Sequence, residues 1–189
     1  MKRRQWITAA AAALLSAAGP VAMADEAVVP AAKIIDALRS KDIVIDRPGQ
    51  PAQQDPAIDL QVQFTFGSAT LTPVGKRQLD ELAMALGDRA LANASFLLAG
   101  HTDAVGGLDV NMRLSLQRAE AVKGYLVTAH RLAPVRLQTL GYGPTRLADP
   151  ANPQAALNRR VEVRRLRPGV ATGQAPAAAA ARLVPTPGR

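Results

Sequence analysis

The sequence predicts a two-layer α/β sandwich, with a mixed sheet of four strands and helices packed on one face. Three observations predict it. Segments with strand and helix periods follow one another as strand, helix, strand, helix, strand, strand. The two long helical segments stand where parallel strands need crossovers. Aromatic residues make up only 3 % of the chain, so the core must be built from Leu, Val and Ala on the faces of regular elements.

Residues 1–24 read as a cleaved secretory signal. Lys2, Arg3 and Arg4 form its positive start, Ile7 to Ala18 its apolar run, and Ala22-Met23-Ala24 a small-x-small cleavage site before Asp25. The apolar run stops at Gly19-Pro20 and is shorter than the roughly 20 residues of a spanning helix. Residues 25–57 hold a short helix, Ala31 to Lys41, with Ile34, Ile35 and Leu38 as its stripe, and then a linker rich in Pro and Gln. These 33 residues do not alternate. They are too few for a transmembrane barrel, which needs about eight strands of about ten residues.

The domain proper is expected over residues 58–167. In Asp59 to Phe66, Leu60, Val62, Phe64 and Phe66 alternate with polar residues, the period of a half-buried strand. After a turn at Gly67-Ser68-Ala69, Thr72 is placed as N-cap and Pro73 as first residue of a helix that ends near Gly87. Leu79, Leu82, Ala83 and Leu86 form its buried stripe. Ser95 to Gly100 is almost wholly apolar, as in a central strand. A polar loop, His101 to Gly107, leads into a second helix from Asp109 to Ala129. Arg136 to Tyr142 forms the third strand. After a Pro-rich loop, Asn158 to Leu166 forms the fourth, with Arg159, Val161 and Val163 on one face. Residues 168–189, mostly Ala, Pro and Gly, read as a disordered tail.

The absence of cysteine excludes disulfides, thiolate metal sites and a cysteine nucleophile. Without the leader's basic residues the chain keeps 20 basic and 15 acidic residues, a net +5 that favours an acidic partner without naming one. Nucleic acid is a poor fit, since the arginines are dispersed and stacking aromatics are few. The two histidines are far apart, so no metal is expected, and no cofactor motif is present.

The informative stretch is Gly100 to Tyr125. At 100° per residue, Asn111, Ser115 and Arg118 share one narrow sector of the second helix, beside Leu114, Ala121 and Tyr125 and continued by Val122 and Leu126. Arg113, Gln117, Glu120 and Lys123 take the outer side. A polar triplet that adjoins the buried face needs partners. Asp103, at the end of the second strand, supplies a carboxylate, and free N–H groups at the helix start favour an anion. Together they make a receptor for a free amino-acid end, with an ammonium on Asp103 and a carboxylate on Arg118, helped by Asn111. A direct Asp103–Arg118 salt bridge with no ligand remains the alternative.

The segments GSATLTPVGKRQLDELA, GHTDAVGGLDVNMRLSLQRAEAVKGYL, RLQTLGYG and NRRVEVRRL, in that order, resemble the OmpA-like C-terminal (peptidoglycan-binding) domain family. The resemblance covers about residues 59–167. It implies a βαβαββ fold, a non-enzymatic role, and peptidoglycan as partner, gripped through the diaminopimelate residue of the stem peptide by Asp103 and Arg118. It also implies that Thr102, Asn111 and Leu114 line the pocket, and that Ser115 and Arg159 support it, Arg159 from the inner layer of the sheet. With the signal it implies the periplasm of a Gram-negative bacterium, peripheral to the outer membrane. Ala99 departs from the acidic residue many members carry there. An envelope protein partner, and a domain that kept the fold but binds protein rather than peptidoglycan, stay open, as does the oligomeric state.

Other chemistry fits less well. His101 and Asp103 stand two residues apart, which strains any triad with Ser115 or Ser68, and no nucleophile elbow is present. His101 reads instead as a structural histidine. Gly141-Tyr142-Gly143 lacks the Lys of a phosphate loop and reads as the turn that ends the third strand.

Overall fold

The computed structural model describes residues 28–39 and 55–167. The signal, most of the linker and the tail lie outside the described residues. In chain order the elements are α1 (Ala31–Leu38), β1 (Ala57–Leu60), α2 (Pro73–Gly87), β2 (Ser95–His101), α3 (Leu108–His130), β3 (Leu137–Gly143) and β4 (Val161–Leu166). The sheet order is β1-β4-β2-β3. β2 runs parallel to β3, with Leu98 opposite Thr139. β4 is antiparallel to β2, with Leu98 opposite Val163, and to β1, with Leu60 opposite Val161. The expected mixed four-stranded α/β sheet is therefore present, open rather than closed, and the apolar Ser95–Gly100 segment lies in an inner strand.

The core forms where the helix stripes meet the sheet. Leu79, Leu82 and Leu86 of α2, Val122 and Leu126 of α3, and Phe96, Leu98, Val161 and Val163 of the sheet are all buried. Thr72 caps α2 as expected: its Oγ1 accepts from Gly75 N at 3.1 Å. Gly87 is the last residue of α2, but the cap that follows, Asp88, is extended rather than left-handed. Arg136 ties this end down. Its Nε donates to Ala94 O at 2.9 Å, and its Nη2 donates to Leu86 O and Leu91 O at 2.9 and 2.8 Å.

Two expectations need correction. The first strand ends at Leu60 rather than Phe66. Val62 N turns back to Leu60 O, only an isolated Phe64–Leu71 bridge follows, and Phe66 is fully exposed. The chain bends there because α2 packs directly on it: a Cβ at Gly75 would stand 2.2 Å from Gln63 O. The N-terminal helix, read as an appendage before a linker, is shorter than expected and belongs to the core. Ile34 and Leu38 are 0 % exposed, and Gln78 of α2 both accepts from Val29 N (2.7 Å) and donates to Val29 O (3.0 Å). Glu81 accepts from Ala31 N at 2.7 Å, so a side chain of α2 caps the start of α1.

The close seating of α3 on β2 and β3 decides where the site lies. A Cβ at Gly100 would stand 2.0 Å from Ser115 O, and one at Gly141 would stand 2.5 Å from Leu116 N. Both contacts are with helix backbone, so only glycine lets α3 approach this near. The first turns of α3 are thereby held against the C-terminal ends of two parallel strands.

Candidate functional site

The end of β2 delivers the loop of the site. Thr102 N donates to Gly143 O at 3.0 Å, which fastens the loop to the end of β3. Thr102 is 2 % exposed, and its Oγ1 is buried with no hydrogen-bond partner among the described residues. Asp103 follows. Its Oδ1 accepts from Val105 N at 3.2 Å, a local turn that fixes the carboxylate. Its Oδ2 accepts from Arg159 Nη1 at 2.8 Å. The Asp103 side chain is 14 % exposed and that of Arg159 is 48 % exposed, so the pair sits at the mouth rather than in the core.

α3 presents the opposing wall. Asn111 and Ser115 are buried and Arg118 is half-buried, as the helical wheel implies. Asn111 holds the loop: its Nδ2 donates to Val105 O at 2.9 Å. Ser115 accepts from Gly143 N at 2.9 Å and donates to Met112 O at 2.8 Å, so its hydroxyl joins helix to strand. Leu114 is partly buried. Arg118 Nε donates to Ser68 O at 3.0 Å, and its guanidinium lies over the Phe64 ring at 5.1 Å. Among the described residues its two Nη groups make no hydrogen bond. Burial lowers the Arg118 pKa below its ordinary value, nearby Arg159 lowers it further, and Asp103 opposes both.

Asp103 and Arg118 thus come from the two elements expected, and Asp103 opposes the lowering of the Arg118 pKa. The direct Asp103–Arg118 salt bridge is not what forms among the described residues; Asp103 pairs with Arg159. Arg159 itself does not lie in the sheet's inner layer. It precedes β4, which starts at Val161, and it is exposed. A short 3-10 turn, Ala156–Asn158, swings it toward the loop instead, and buried Asn158 fixes that turn through Asp149 N, Asn152 O and Pro153 O. Ser68 and Phe64 are site residues that the sequence reading missed. From the sequence Phe64 reads only as a strand residue, and Ser68 only as part of a turn and of a rejected triad.

His101 stands apart. Its ring stacks on Tyr142 at 5.3 Å between centroids, and its Nε2 is 3.4 Å from Glu162 Oε2, on the sheet face away from Ser115. No triad with Ser115 or Ser68 assembles among the described residues, since the Ser115 hydroxyl is committed to Gly143 and Met112 and the Ser68 hydroxyl to Thr70. His101 is 1 % exposed and is structural, as expected. Tyr142 and Gly143 do end β3 in a turn, closed by Thr145 N on Tyr142 O.

The model of the OmpA family matches residues 63–161. The chain is 36 % identical over 143 residues to "Probable lipoprotein YiaD" of Escherichia coli (strain K12), covering 71 % of this chain and 60 % of that protein. It is 36 % identical over 114 residues to "Outer membrane porin F" of Pseudomonas fluorescens, covering 59 % of this chain and 34 % of the porin. It therefore spans only part of the length of these relatives, which by name are a lipoprotein and an outer membrane protein. Among solved structures, the OmpA-like domain of FopA1 from Francisella tularensis superposes with a TM-score of 0.50 at 23 % identity, covering 60 % of this chain and 75 % of that one. The periplasmic domain of Helicobacter pylori MotB (residues 78–256) does so with a TM-score of 0.52 at 18 % identity, covering 61 % and 78 %. At such identities these are likenesses of fold. Matched by the family model over more than half its length, the chain belongs to the OmpA family.

Proposed function

We propose that this chain is a periplasmic, non-enzymatic peptidoglycan-binding module that anchors envelope components to the wall by recognising diaminopimelate. Asp103 takes the ammonium of the side-chain end and Arg118 takes its carboxylate. One observation carries the reading: Arg118 is half-buried and fixed by Nε to Ser68 O, yet both Nη groups are unspent beside an immobilised carboxylate. A guanidinium clamped at one nitrogen and unspent at two is prepared for a bidentate carboxylate. Thr102 and Leu114 line the space between, while Asn111, Ser115 and Arg159 hold the loop and helix in place. The family resemblance supplies the name of the ligand; the chemistry supplies only an amino-acid end.

The test is co-sedimentation with purified diaminopimelate-type sacculi. Wild type is expected to pellet with them, and Asp103→Ala and Arg118→Ala are expected to remain largely in solution while keeping their circular dichroism. Truncating one partner of a desolvated charged contact costs about 2–5 kcal/mol. Wild type that stays in solution would sink the reading. Val105, Leu108 and Val110, each more than half exposed beside the site, favour a second reading in which a protein docks on this edge.

A further inference from the structure

Two guanidiniums and one carboxylate meet at this site. Asp103 carries the negative charge; Arg159 contacts it at 2.8 Å, and Arg118, held at Nε by Ser68 O, is near enough for both charges to act on it. Among the described residues that meet here, two guanidiniums, Arg118 and Arg159, face one carboxylate, Asp103, an excess of one positive charge. Arg159 spends Nη1 on Asp103, and its remaining donors make no hydrogen bond among the described residues. Asp103 has one oxygen on Val105 N and the other on Arg159, which fixes the carboxylate and leaves a lone pair on each oxygen for the ligand's ammonium. What the two guanidiniums lack is an anion for their remaining donors. A guanidinium offers five N–H donors in a planar fork, so one can serve a protein carboxylate and a ligand carboxylate together.

Resting on the proposed reading of the site, we propose that Arg159 is a second anion anchor. With Nη1 on Asp103, it takes the ligand's carboxylate together with Arg118, and so selects a side-chain end that carries an ionised carboxylate beside its ammonium. Arg159 is then a specificity-determining residue, over and above its hold on Asp103.

The two roles separate in one experiment. The full-length chain is titrated by NMR, which reaches millimolar affinities, with the tripeptide L-Ala-γ-D-Glu-meso-diaminopimelate and with its L-lysine counterpart. The lysine side chain keeps the ammonium and lacks the carboxylate. Arg159→Gln should weaken the diaminopimelate peptide about tenfold or more, the scale of one charge-assisted hydrogen bond, and the lysine peptide about threefold or less. Arg159→Lys, which keeps the charge, should lose less of the discrimination than Arg159→Gln does. An equal loss on both peptides would mean that Arg159 only positions Asp103 and would overturn the proposal. No loss on either peptide would overturn it too. If wild type fails to bind the diaminopimelate peptide, the reading of the whole site falls, which is a different result from an unchanged ratio between the peptides.

Discussion

Replacing Glu162 with Gln perturbs the polar face of the sheet in a way that can be followed by pH. Glu162 stands opposite Ala99 on β2 and is 8 % exposed. The nearby His101 ring lowers its pKa most; Arg164 lowers it further; burial opposes them; the result is a fall from 4.5 to about 2. A group with a depressed folded pKa contributes stability that is present above its unfolded value and is lost as pH falls toward the folded one. The window is therefore pH 4.5 down to about 2. At about 1.4 kcal/mol per pKa unit the full linkage is about 3 kcal/mol. Water reaches Arg164, whose side chain is 30 % exposed, and screening there reduces the expected contribution to about 1–3 kcal/mol. Urea unfolding of wild type and Glu162→Gln between pH 6 and pH 2.5 measures it. Wild type should be the more stable protein at pH 6, and the difference should shrink as pH falls through the window. Two curves that run parallel over that range would refute the reasoning.

Three further outcomes are expected from the packing. Gly141→Ala puts a methyl group 2.5 Å from Leu116 N and 2.6 Å from Ser115 Oγ, so α3 must move; the loss should exceed about 1 kcal/mol in urea unfolding, with weaker sacculus binding. Arg136→Ala leaves the carbonyls of Leu86, Leu91 and Ala94 without their shared donor and should cost about 2 kcal/mol or more, with little effect on binding. Leu38→Ala, in a helix that the sequence reading left outside the domain, should cost about 2–5 kcal/mol, because Leu38 is 0 % exposed; a change under about 0.5 kcal/mol by thermal or urea unfolding would detach α1 from the core.

What was legible in the sequence is what local pattern encodes. The period of α3, the Thr72–Pro73 start of α2 and the apolar run of β2 all depend on neighbours within a few residues. The sector of Asn111, Ser115 and Arg118 followed from the same helical geometry. What escaped the reading depends on residues far apart in the chain. The alternation through Phe66 is a sound strand signal, and it fails because α2 presses Gly75 onto Gln63 and bends the chain. The docking of α1 depends on Gln78 and Glu81, about fifty positions away. The partner of Asp103 is Arg159, 56 residues on, and the turn that delivers it is built by Asn158 rather than by strand period. Ser68, whose carbonyl sets the aim of Arg118, contributes backbone rather than side chain, which residue type cannot announce.

The most direct measurement of the central claim is NMR shift mapping of the chain with the meso-diaminopimelate tripeptide. The account predicts that the largest changes fall on the amides of Thr102, Asp103 and Val105 and on the Arg118 guanidinium, and that Arg118→Ala abolishes them. Changes confined to the α1–α2 side, or a response that survives in Arg118→Ala, would contradict it.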